Sequence, residues 1–291
     1  METYTAVPMS ETIYHLAESP FRDERTKILS FVDITEGKFY RYLPDGELKC
    51  FDVQRPLGAA VPAETPGAYV FAASDGLYYF HDEQMELLQD LKAHYRSRQR
   101  SNDAKADPAG RLYFGSSSMD KQYGDHGDLY CLDFSAAGNA LKIVQPDTKI
   151  ANGMEWSSDH KRFYFSDSLE YAVFVYDYDI ATGSLSDRRV LFTVADGVPD
   201  GICIDADDDL WVAVWGGRRI EKRDGRSGEL KAMVTVPAEH VSSCCFMGDG
   251  RLFITSAGDG LAGQHDGKLF TCKTDAPAGK THYCKVAQGR S

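Results

Sequence analysis

A chain of 291 residues with 32 Lys+Arg against 44 Asp+Glu has a formal charge of −12, and 43% of its residues are hydrophobic. That is the composition of a globular chain with a large core, not of a disordered or fibrous one. The acidic balance argues against nucleic acid as the partner, since phosphate binding needs a basic footprint, and it suits a site that collects a cation.

Met1–Ser10 has neither a cationic start nor an apolar run, so no secretory leader is expected. No stretch approaches the ~20 apolar residues that cross a bilayer, so no membrane role is expected. Seven cysteines, an odd number with no C-x-x-C pair, read as reduced thiols in a cytoplasmic protein. The adjacent Cys244 and Cys245 read as strand packing.

Along the chain one pattern recurs: an acidic or glycine-bearing turn, then an aromatic-rich alternating strand. Its copies are Asp23–Asp33, Asp75–His81, Asp107–Gly115, Asp159–Asp167, Asp207–Trp215 and Asp249–Ser256. They lie roughly 35 to 50 residues apart, the length of one four-stranded propeller blade. Further alternating strands follow at Lys38–Leu43, Gly127–Asp133, Val173–Tyr178, Arg219–Arg223 and Gly267–Cys272, several ending in Asp-Gly or Thr-Gly turns. Glu83–Arg98 reads as a strand over Met85–Leu88 and a charged loop rather than a helix. Trp156, Trp211 and Trp215 read as core between blades. The expectation is an all-β, six-bladed β-propeller, one domain over 1–291, its ring closed by N-terminal residues around Glu11–His15 pairing with Gly267–Cys272.

Several familiar motifs fail. Gly258–Gly263 matches G-x-G-x-x-G but no helix pattern follows it. Asp205–Asp209 opens like a calcium loop, but Leu210 and Gly216 stand where that loop needs Gly and Glu. Three oxygen-bearing residues survive because they occupy matched places ahead of their blades: Glu18, Asn152 and Asp200, with Asn102-Asp103 similarly placed. Two carboxylates and an amide suit a divalent cation, Ca, Zn, Mn or Mg. Singly, Asn-Gly and Pro-Asp-Gly are also ordinary turn sequences; their equivalence along the repeat favours a site.

The carrying motifs are Glu18-Ser-Pro with Phe31-Val-Asp33, Arg100-x-Asn-Asp-x-Lys-x-Asp-Pro-Ala-Gly-Arg111, Asn152-Gly-x-x-Trp156, Pro199-Asp-Gly201 through Leu210-Trp-Val-Ala213, and Ser242-Ser-Cys-Cys-Phe246. In this order they resemble the regucalcin (senescence marker protein 30) and gluconolactonase-like family, from Glu18 to about Gly260. The resemblance implies a six-bladed propeller and a metal-dependent lactonase acting on a sugar lactone. It implies Glu18, Asn152 and Asp200 as metal ligands, Arg100 and Asn102 as substrate-holding residues, and Asp103 as a polar residue near the metal. Where the family has a substrate-contacting Glu, this chain places Tyr123, which bears on which sugar is taken.

On that reading the ion polarises the lactone carbonyl and Asp200 serves as both ligand and general base. The alternatives are hydrolysis of another ester, lactone or organophosphate at the same ion, and a non-catalytic calcium-binding protein. The expected partner is a small-molecule lactone, and a monomer is expected.

Overall fold

A computed structural model describes residues 1–96, 98–119, 126–135 and 140–286. Strands β1 (Glu2–Thr5) and β2 (Val7–Pro8) precede a four-stranded antiparallel sheet of β3 (Ala17–Arg22), β4 (Leu29–Asp33), β5 (Lys38–Tyr42) and β6 (Leu48–Asp52). Three more such sheets follow: β7 (Leu57–Pro62), β8 (Tyr69–Ala73), β9 (Gly76–His81) and β10 (Gln84–Asp90); then β11 (Gln99–Ala106), β12 (Leu112–Ser118), β13 (Gly127–Asp133) and β14 (Ala140–Thr148); then β15 (Ala151–Trp156), β16 (Arg162–Asp167), β17 (Ala172–Asp179) and β18 (Ser184–Thr193). The remaining strands are β19 (Val198–Ile204), β20 (Asp209–Trp215), β21 (Arg219–Asp224), β22 (Leu230–Thr235), β23 (His240–Phe246), β24 (Arg251–Ala257) and β25 (Phe270–Lys273). With β1 and β2 they form one nine-stranded sheet, in which Trp215–His240 alone links β20 to β23. Among the described residues the helical structure is one 3-10 turn, Ser168–Glu170, and no helix is long and apolar enough to cross a membrane.

Period-2 alternation becomes packing because both faces of each sheet are covered. Val32, Phe39 and Val53 pack on Leu57, Phe71 and Phe80 of the next sheet. Similar clusters join each sheet to its successor, through Phe114 and Tyr130, then Trp156 and Phe163, then Val175 and Val212. Within the nine-stranded sheet Trp211 and Ile220 meet Val241 and Ile254. The last cluster returns to the start, with Phe253 and Leu269 against Phe31 and Ala17. The first strands pack in the same order, β3–β7–β11–β15–β19–β23 and back to β3.

Three sequence expectations shift. The copy at Asp75–His81 supplies the third strand, β9; the second, β8, follows Gly67, whose φ of 80° makes a turn without the acidic signature. The Tyr14 N–H donates to the Gly267 carbonyl at 2.8 Å, within the expected segments, but the ladder with the last strand lies earlier, Val7 opposite Thr271 and Pro8 opposite Phe270, while β1 adds in parallel to β22. Glu11 instead reaches the Lys268 ammonium at 2.6 Å. Trp156 and Trp211 are buried, whereas Trp215 is half-buried and stacks on His240 at 4.1 Å between ring centres.

Candidate functional site

Each first strand carries a β-bulge near its start. The pairing slips between Glu18 and Phe21, Leu57 and Ala59, Ser101 and Ala104, Ala151 and Met154, Pro199 and Ile202, and Val241 and Ser243. A bulge leaves a residue out of the ladder and re-aims its side chain. Asn102, Asp103, Asn152 and Asp200 occupy these slips, and Glu18 begins one, with Ser19 held at a φ of 48°. The residues chosen for their matched positions therefore share one structural device.

Asn-Gly and Pro-Asp-Gly are not turns. Gly153 and Gly201 are needed for close approach: a Cβ on Gly153 would lie 2.5 Å from both the Asp200 carbonyl oxygen and the Ile202 nitrogen, and one on Gly201 would lie 2.8 Å from the Ser243 Cα. Removing those side chains lets β15, β19 and β23 converge.

Asn152 Nδ2 donates to Ser168 Oγ at 3.1 Å, and Ser168 Oγ donates to the Pro199 carbonyl at 2.8 Å. That fixes the amide with its oxygen turned away from Ser168. Asn152 Oδ1 and Asp200 Oδ1 are both buried with no hydrogen-bond partner. Such orphaned acceptors are costly unless something positive meets them. Glu18 Oε2 accepts from the Ser19 N–H at 2.8 Å, and Asp103 Oδ1 from the Ala104 N–H at 2.8 Å. Arg100 Nη1 donates to the Ser101 carbonyl at 2.8 Å and to Asn102 Oδ1 at 2.7 Å. Asn102 Nδ2 in turn donates to the Ala151 carbonyl at 2.9 Å, tying β11 to β15. Tyr123 lies outside the described residues.

The carboxyls press on one another. Burial, then the Asp103 charge, pushes Glu18 up to about 8. Burial raises Asp103 to about 6 against the pull of Lys105. Asp200 rises well above the usual range through burial, then Glu18 and Asp103, with Arg100 and Asn152 opposing. Burial also lowers the Arg100 pKa, with Glu18 opposing. Ionised, Glu18, Asp103 and Asp200 exceed the single Arg100 charge by two, the deficit a divalent cation fills. Among the described residues no three or more His, Cys, Asp or Glu side chains are placed to hold an ion by themselves. The donor set that fits here is two carboxylates with one amide, Glu18, Asp200 and Asn152.

A family model described as the SMP-30/Gluconolactonase/LRE-like region matches residues 16–258. The chain belongs to this family. It is 34% identical over 260 residues to regucalcin of Danio rerio, covering 84% of each chain. Among solved structures it resembles a luciferin-regenerating enzyme, with 30% identity, a TM-score of 0.88 and coverage of 97% of this chain and 99% of the other. It also shares its fold with a gluconolactonase of Xanthomonas campestris, at 22% identity and a TM-score of 0.73, covering 94% and 89% of the two chains. The family's description names gluconolactonase, and the solved neighbours share the all-β fold.

Within this SMP-30/gluconolactonase fold the structure gives roles to residues that sequence reasoning left without one. Asp33 accepts the His15 and Leu16 N–H groups at 2.8 and 3.0 Å, just before Glu18. Asp167 accepts the Lys149 and Ile150 N–H groups at 2.9 and 3.0 Å, just before Asn152. The shared Phe-x-Asp at 31–33 and 165–167 is the signal that could have found this pair. One layer below, Lys105 Nζ binds Glu155 Oε1 at 2.7 Å and the Ile202 carbonyl at 2.8 Å, joining β11, β15 and β19 beneath the site. No sequence motif marks that pairing.

Proposed function

We propose that the chain is a divalent-metal-dependent lactonase that opens a sugar lactone to its aldonic acid, built as a single six-bladed propeller over 1–291. In this reading the nine-stranded sheet is two blades, β19–β22 with β1 and β23–β25 with β2, meeting at the Trp215–His240 pair. The circuit of clusters from Val32 to Phe31 supports it.

The observation that carries the functional reading is the pair of partnerless buried acceptors, Asn152 Oδ1 and Asp200 Oδ1, inside an acidic surplus. Glu18, Asn152 and Asp200 would hold the ion, with Asp103 close by. A cation bound there supplies Lewis-acid polarisation of the lactone carbonyl. The residues do the rest. The Arg100 Nη1 is committed to Ser101 and Asn102, so the guanidinium is aimed, and its other N–H groups donate to substrate oxygens. Asn102 orients Arg100 and offers its remaining amide capacity to a hydroxyl. Asp200 takes the proton of the attacking water, since a carboxylate beside the ion is placed to accept it. The ring C–O bond breaks and the proton passes to the departing ring oxygen.

The test is metal analysis with a panel of hexono- and pentonolactones, aryl esters and organophosphates, on the unaltered chain and on Asp200→Ala and Glu18→Gln. Metal-dependent turnover of an aldonolactone, lost in both variants with the bound ion, is expected. Near-normal turnover by either variant after chelation would refute the site. Ion binding without any turnover would favour the calcium-binding alternative, and preference for an ester or phosphotriester would change the substrate class.

A further inference from the structure

The first strands also line a second cavity, formed by Phe21, Lys105, Glu155, Cys203, Cys244 and Cys245 together with Lys280 and His282. Cys203 lies on β19 and Cys244 on β23, and their sulfurs are 3.5 Å apart. The two strands nearly touch nearby, where Gly201 leaves no room for a side chain against Ser243. Cys245 packs with Phe31 and Leu29 of the first sheet, while Cys203 and Cys244 share the cluster of Trp211.

We propose that Cys203 and Cys244 are a modification site: under peroxide they close into a disulfide that staples β19 to β23. Adjacent strands in backbone contact bring the two residues toward the separation a disulfide spans, about 4.4–6.8 Å between Cα atoms. The cavity gives a small oxidant access to both sulfurs. Burial, then the hydrogen bond to Cys244, raises the Cys203 thiol well above its ordinary value with Lys105 opposing, so the reaction is slow and draws on the small thiolate fraction of Cys203. Its thiolate attacks one oxygen of hydrogen peroxide, the O–O bond breaks, and the departing oxygen takes a proton to leave as water. The resulting sulfenic acid is attacked by the Cys244 thiolate; the S–O bond breaks, a second water leaves with the other thiol proton, and the S–S bond forms. Two thiols lose two electrons and peroxide becomes two waters.

The staple closes a segment between residues 41 apart and holds the strand that carries Asp200. The test treats the full chain with hydrogen peroxide at pH 8, alkylates remaining thiols under denaturing conditions, and maps peptides without reduction by tandem mass spectrometry. A Cys203–Cys244 cross-link that dithiothreitol removes, and a thermal midpoint higher by about 5 °C, are expected. Cys203→Ser and Cys244→Ser should each lose both effects, and Cys245→Ser should keep both. If the serine variants do not fold, the map of the unaltered chain decides. All seven thiols still free, cross-linking through Cys245, or over-oxidation without a cross-link would overturn the assignment.

Discussion

Lys105→Met should expose how strongly the layer beneath the site is held. Lys105 and Glu155 form an ion pair at 2.7 Å with side chains only 14% and 9% exposed. Removing one member of a buried pair costs about 3–5 kcal/mol, because the other charge is left buried without compensation. The cost should depend on pH in a stated direction. Burial already raises the Glu155 carboxyl, and Lys105 is the largest influence holding it down. Without the ammonium that carboxyl rises further, so acid neutralises the stranded charge and the deficit of Lys105→Met should be full at pH 8 and shrink toward pH 5. Glu155→Leu leaves the ammonium with the Ile202 carbonyl and the Asp103 charge, and acid, which neutralises Asp103, brings it no relief. The double variant should return to within about 1 kcal/mol of the parent. Urea unfolding of the four proteins at both pH values measures the cycle. A Lys105→Met cost under about 1 kcal/mol at pH 8, or one that grows on acidification, would refute the reasoning.

Other expectations follow from the site. Glu18 at about 8 and Asp103 at about 6 are raised above their unfolded values, so their contribution to stability is present at low pH and lost as pH rises through those values. With chelator, the thermal midpoint should therefore fall between pH 5 and pH 9, and added calcium should restore it most at the alkaline end; a flat profile with chelator would contradict the burial of these groups. Gly153→Ala should cost about 1–3 kcal/mol by overpacking β15 against β19, read by urea unfolding. Asp167→Ala leaves the Lys149 and Ile150 amides unpaired and should cost about 1–3 kcal/mol, with weaker calcium binding by calorimetry because Asn152 loses its anchored approach.

Much of the architecture was legible because a blade is local. Alternating Tyr, Phe, Val and Ile between turn residues declares each strand, so the aromatic copies, the strand over Met85–Leu88 and the N-terminal pairing with the last sheet could be read along the chain. The exceptions are instructive. Asp75–His81 looked equivalent to the other copies because its turn has the acidic signature, but it supplies a third strand where they supply a second, and β8 hides behind Thr65–Gly67. The closing pair fell on Val7 and Pro8, since the register of an edge strand depends on what it meets and not on its own pattern.

Glu18, Asn152 and Asp200 could be singled out from the sequence because equivalent positions in a repeat must face the same axis. That they sit in β-bulges and not in turns could not, since a bulge is a property of two paired strands. Tertiary contact alone decided that Asn102 would donate to the Ala151 carbonyl and that Lys105 would meet Glu155. Each joins strands whose distance along the chain exceeds any periodicity, and only the convergence of six first strands brings them within hydrogen-bond reach.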